Sequence, residues 1–176
     1  LANRYAHWAR SRNLRRTDVV GLLMTNRADY LAAWMGFSKV GVPTALLNTN
    51  LTGQALAHCL NIVNVAQVIA DEETWSRVEE ARPFAQRSVM LKPVDETSER
   101  RNLDNAVRSG SSVRPQKSVR DGLTNRDTCV FIYTSGTTGL PKAARVHHAR
   151  ARTYMRAFAG CTRATAPATS SALNFP

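Results

Sequence analysis

Short apolar runs alternate with amphipathic segments through the first 90 residues, and this alternation limits the chain to few folds. Asp18 to Met24, Thr44 to Leu47, Gln67 to Ala70 and Ser88 to Leu91 are apolar stretches of strand length. Between them lie segments with helical periodicity. A helix is expected to end over Arg4 to Arg12. Asn26 offers an N-cap with Asp29 three residues on, and Leu31, Trp34, Met35 and Ser38 share one face of the helix that follows. Gly41 and Pro43 supply its stop. Thr52 opens another helix carrying Leu56, Cys59, Leu60 and Val63, and Thr74 to Phe84 reads as a further one. Strand and helix in turn imply right-handed βαβ crossovers. The fold class is therefore α/β, a mainly parallel sheet with flanking helices.

Residues 93–126 break this pattern and read mostly as a surface excursion. Apolar order returns at Thr128, and the run Cys129-Val130-Phe131-Ile132 leads into Tyr133-Thr134-Ser135-Gly136-Thr137-Thr138-Gly139-Leu140-Pro141-Lys142. A loop at the end of such a strand lies where open α/β sheets place ligands. Glycines at 136 and 139 let backbone N–H groups turn inward, as a phosphate requires. Thr134, Ser135, Thr137 and Thr138 add hydroxyl donors, and Lys142 adds a mobile positive charge. A Walker A loop is excluded, because its lysine directly follows a glycine, whereas Leu140 and Pro141 intervene here. Arg145 to Phe158 contains good helix formers, so a helix N-terminus near the loop is expected to add its dipole. Phe131 and Tyr133 alternate with Ile132, which favours core packing for both.

The run from Tyr133 to Lys142 resembles the AMP-binding signature of the adenylate-forming superfamily, which includes acyl-CoA synthetases, luciferases and peptide-synthetase adenylation domains. His148, six residues past the lysine, falls where that family often has a histidine. His147 stands where the family commonly has a helix-capping Ser or Thr. Leu46-Leu47-Asn48-Thr49-Asn50-Leu51 and Leu56-Ala57-His58-Cys59-Leu60 are similar to the fatty acid transport protein and very-long-chain acyl-CoA synthetase branch. The resemblance covers about residues 1–160 and implies a partial adenylation domain there, with a disordered or truncated tail over 161–176. It implies ATP, Mg2+ and coenzyme A as reactants with a long or very long fatty acid. Tyr133 to Lys142 would bind the phosphates, Lys142 would act on the departing pyrophosphate, and His148 would lie beside the acyl substrate. The family's later adenine, ribose and C-terminal lysine motifs are not found in this sequence, so a fragment unable to complete turnover is expected.

Composition decides among the remaining classes. Three cysteines, Cys59, Cys129 and Cys161, are odd in number and widely spaced, which points to reduced thiols and a cytoplasmic setting. No apolar run approaches the roughly 18 residues of a membrane span. Net charge is +11, and 20 of the 24 basic residues are arginines, yet they are scattered and no zinc finger or RNP-like segment accompanies them. Attraction to an anionic membrane surface suits such a chain better than nucleic acid does. No metal site is expected, because the adjacent His147 and His148 have no third ligand near in sequence. His58 and Cys59 are neighbours on a helix and are not expected to face each other. Two further readings stay open: a non-catalytic nucleotide- or anion-binding module, and an adenylating ligase for an aryl acid or carnitine.

Overall fold

The computed structural model describes residues 1–86, 89–91, 103–134 and 139–165, without the side chains of 89–91 and 158–165. In chain order the elements are α1 (Ala2–Ser11), β1 (Val19–Leu23), α2 (Ala28–Lys39), β2 (Thr44–Leu46), α3 (Gly53–Ile62), β3 (Val65–Ala70), α4 (Trp75–Ala81), β4 (Val89–Leu91), α5 (Leu103–Arg108), β5 (Thr128–Thr134), β6 (Lys142–His147) and α6 (His148–Thr165). The described strands form one sheet in the order β4-β3-β1-β2-β5-β6. All neighbours pair in parallel except β5 and β6, which are antiparallel. The expected α/β class and mainly parallel sheet are both found.

Period-two alternation builds the two layers. On β1, Val20 and Leu22 join a core with Tyr5, Trp8, Phe37 and Val42, which covers one sheet face with α1 and α2. Val19 and Leu23 point the other way, into a core with Leu56, Leu60, Val68 and Val78 from α3, β3 and α4. Phe131 of β5 belongs to this second core, and Tyr133 and Ala143 pack against its edge. Near β6, Val130 and Val146 meet Ala151 of α6, with Trp34 bridging to the first core.

Three expectations need correction. First, the face of α2 that packs inward is not the one bearing Leu31 and Met35, which are 50% and 44% exposed. Small residues, Ala32, Ala33 and Gly36, face inward with Phe37 instead. They win because α1 lies so close: a Cβ on Gly36 would sit 2.5 Å from the Ala2 carbonyl oxygen and 2.6 Å from Tyr5 Cβ. Second, part of the supposed surface excursion is docked. Leu103 and Val107, one turn apart on α5, are buried in the first core. Asn3 Nδ2 donates to the Ser112 carbonyl at 2.8 Å, His7 Nε2 donates to the Val113 carbonyl at 2.9 Å, and Arg4 donates to the Arg108 carbonyl. Third, residues 142–147 are a strand, with α6 starting only at His148. Helix propensity there is a weak preference, and the ladder offered by the open edge of β5 outweighs it. The tail expected from 161 continues this helix to Thr165, and 166–176 lie outside the described residues.

Buried Asp71 ties the carboxyl ends of β1 and β3 together. Its Oδ2 accepts from the Thr25 backbone N–H at 2.8 Å and the Thr25 hydroxyl at 2.9 Å, while Oδ1 accepts from the Thr74 N–H at 3.0 Å. The Thr74 hydroxyl lies 2.6 Å from both Asp71 Oδ1 and the Leu23 carbonyl, so its single proton serves one at a time. Burial alone would raise the Asp71 pKa, but these donors outweigh it and hold the carboxyl below its ordinary value. With the folded pKa depressed, the stabilisation is complete above the unfolded carboxyl's value of about 4 and is lost as pH falls through the folded one. Denaturant titrations should therefore show Asp71→Asn less stable by about 1–3 kcal/mol at pH 7, with a shallower loss of stability on acidification. Equal acid slopes in the two proteins would contradict this role. Gly36→Ala should cost about 1–3 kcal/mol by overpacking the contact between α1 and α2, read as a lowered unfolding midpoint.

Candidate functional site at the mouth of the hairpin

Strand β5 runs parallel to β2 and ends at Thr134, so its loop leaves from the carboxyl edge of the sheet. The loop returns as β6, and Thr134 pairs with Lys142 across the mouth of the hairpin. The first and last polar members of the sequence loop are thereby brought side by side. Ser135, Gly136, Thr137 and Thr138 lie outside the described residues. Gly139 has φ +100°, a conformation open to glycine and strained for other residues. Leu140 and Lys142 are exposed, and Lys142 makes no side-chain hydrogen bond or ion pair with another described residue. A mobile ammonium, a threonine hydroxyl and a glycine-permitted turn at one sheet edge form a donor set suited to phosphate.

The expected helix dipole is not part of this site. The chain enters α6 at the far end of β6, where the His148 N–H donates to the Asp127 carbonyl at 3.1 Å. His148 lies six positions past Lys142 along the direction of β6, a span of roughly 20 Å. The structure thus brings Thr134 and Lys142 together and sets His148 at the opposite end of the hairpin. There His148 lines an open cavity of about 580 Å³ with Lys117, Arg120, Leu123, Thr124 and Asn125. Burial lowers its pKa, partly offset by Asp127, and its Nε2 has no hydrogen-bond partner among the described residues.

Tyr133 and Phe131 pack as their alternation implied. Phe131 is buried in the second core, and the Arg145 guanidinium lies 6.0 Å from its ring centroid. The Tyr133 hydroxyl donates to the Cys59 carbonyl at 2.6 Å, and burial raises its pKa so that it stays protonated. Sequence reasoning missed a second contact from α3: His58 Nε2 donates to the Pro141 carbonyl at 3.1 Å. Nothing in the helical pattern signals it, because the two residues are 83 apart in sequence. His58 and Cys59 do not form a reactive pair. The Cys59 side chain is wholly buried, and burial pushes its pKa up to about 11.

Residues 1–174 match the AMP-binding enzyme family. The chain belongs to that family. Over 148 residues it is 36% identical to long-chain fatty acid transport protein 6 of Mus musculus, a match covering 81% of this chain and 24% of that protein. Over 141 residues it is 38% identical to long-chain fatty acid transport protein 2 of Rattus norvegicus, covering 78% and 23% respectively. The chain thus spans about a quarter of the length of these relatives. Among solved structures, ATP-bound MatB from Rhodopseudomonas palustris superposes with a TM-score of 0.71 at 21% identity, over 92% of this chain and 31% of that one. The N-terminal domain of FACL13 from Mycobacterium tuberculosis gives 0.68 at 23% identity, over 84% and 35%. At these identities the superpositions show that the chain shares its fold with MatB and with the N-terminal domain of FACL13.

The raised Cys59 pKa yields a chemical prediction. Alkylation by iodoacetamide at pH 8, followed at the Cys59 peptide, should be on the order of 100-fold slower in the folded protein than in denaturant, because little thiolate forms. Equal rates would show that the site opens freely.

Proposed function

We propose that this AMP-binding chain contributes the phosphate grip to ATP-dependent activation of a long- or very-long-chain fatty acid. The observation that carries the reading is the pairing of Thr134 with Lys142 at the carboxyl edge of the sheet, which brings the two ends of the loop side by side. In the reaction, a carboxylate oxygen of the acid attacks the α-phosphorus of ATP. The bond from that phosphorus to the bridging oxygen breaks, and pyrophosphate leaves with the electron pair. No nucleophile from the protein is needed. The Lys142 ammonium and the loop's hydroxyls and N–H groups neutralise charge that builds on the leaving group, where preorganised donors contribute most. Mg2+ would accompany the phosphates, and the coenzyme A thiol would then displace AMP from the acyl carbon and lose its proton, giving the thioester.

Similarity to fatty acid transport proteins from mouse and rat over about four-fifths of the chain supports the fatty acid assignment. No described helix is long and apolar enough to cross a membrane. With a net charge of +11, the chain would meet an anionic bilayer from its surface. Several arginines already serve internal roles: Arg4 and Arg16 donate to the carbonyls of Arg108 and Asp121, and Arg82 pairs with Glu79.

Titration calorimetry with Mg·ATP tests the grip. Lys142→Ala should weaken binding at least about tenfold, equivalent to about 1.4 kcal/mol, without lowering the unfolding midpoint. Unchanged affinity in the variant would contradict the role given to Lys142.

A further inference from the structure

We propose that His58 is a positioning residue, and that with Cys59 it makes α3 a two-point clamp on the ends of the phosphate loop. The inference rests on the phosphate reading of that loop. Two successive residues of one helix hold opposite sides of the hairpin mouth. His58 reaches Pro141 on the returning side at 3.1 Å, and the Cys59 carbonyl receives the Tyr133 hydroxyl on the outgoing side at 2.6 Å. Tyr133 is itself paired with Ala143, the residue after Lys142. Lys142 is therefore flanked by an anchor at Pro141 and another acting through Ala143.

The His58 contact acts on Lys142 through covalent geometry. The Pro141 carbonyl and the Lys142 nitrogen share one planar peptide group, so fixing that oxygen also fixes the plane from which the Lys142 Cα departs. The pyrrolidine ring holds Pro141 φ near −65°, which removes the other soft torsion at this point. The acceptor is a carbonyl, so His58 must carry its proton on Nε2 to make the bond. On the other side, the Cys59 carbonyl lies in the last turn of α3, where backbone acceptors begin to lose helical partners. Tyr133, kept protonated by burial, supplies a donor there. The second core holds the clamp's base: Leu56, Ala57, Cys59 and Leu60 of α3 are all buried. His58 is only half-buried, so its ring contributes less to that core than its neighbours do. Its direct effect is on the loop.

Hydrogen exchange on the full chain, resolved to short peptides, tests this together with Mg·ATP affinity and the denaturation midpoint. His58→Phe keeps a ring but loses the donor. It should speed exchange over residues 142–144 at least tenfold and weaken Mg·ATP at least fivefold, while β1 and β3 amides and the midpoint stay at wild-type values. His58→Gln, which retains an N–H donor, should recover part of both effects. Wild-type exchange over 142–144 in His58→Phe would overturn the proposal, as would a uniform acceleration across the sheet. If His58→Phe does not fold, Tyr133→Phe decides the matter, since it removes one hydroxyl and should loosen the same segment. Lys142→Ala separates the two claims. It should lose Mg·ATP affinity with exchange unchanged; if it binds normally, the phosphate reading fails, and the exchange data still decide the clamp.

Discussion

Antiparallel pairing of Lys142–His147 with Thr128–Thr134 turns the last parallel strand into one arm of a hairpin and sets the positions of Thr134, Lys142 and His148. With β6 paired along the open edge of β5, the loop's two polar ends meet at Thr134 and Lys142, and His148 is carried to the opposite end. Had residues 142–147 formed a helix, a helix N-terminus would have faced the proposed phosphate site and supplied part of its positive potential. In the hairpin, Lys142 is the cation placed at the mouth, and under the proposed reading it would supply that potential. This geometry makes the orientation of Lys142 an energetic quantity in its own right, since a flexible ammonium that must be ordered on binding loses side-chain entropy.

The second dependency is α3. It packs into the core on one face of the sheet, meets α4 there, and touches both ends of the loop. Closely packed interiors transmit strain rather than absorbing it. A shift of α3 would therefore be felt at Pro141 and Tyr133 before it was felt elsewhere in the hairpin. The Asp71 network at the carboxyl ends of β1 and β3 stiffens the same edge of the sheet. Order at the site thus comes from elements whose sequences carry no phosphate-binding signal.

Much of the fold was legible from sequence because β1 is a continuous apolar run, the mark of a strand buried on both faces, and β2 and β3 are each apolar but for one residue, Thr44 and Gln67. The loop was legible because its glycines, hydroxyls and lysine sit in an ordered string. What failed did so for identifiable reasons. On α2, large side chains at Leu31 and Met35 suggested the wrong inward face, since hydrophobicity outweighed the closeness that Gly36 permits. At Ala143 and Ala144 helix propensity argued against a strand, and only the open edge of β5 decides otherwise. Leu103 and Val107 were hidden in a polar stretch too short to show a period. His58 was the least legible of all: its partner is a backbone carbonyl, which no side-chain pattern encodes.

The central claim is that the hairpin mouth, rather than another basic part of the surface, receives the triphosphate. A crystal structure of the chain with magnesium and a non-hydrolysable ATP analogue tests it most directly. The account predicts the β- and γ-phosphates between Thr134 and Lys142, with the Lys142 Nζ within hydrogen-bond reach of a phosphate oxygen. Phosphates seated instead in the cavity of Lys117, Arg120 and His148, with the mouth of the hairpin empty, would contradict it.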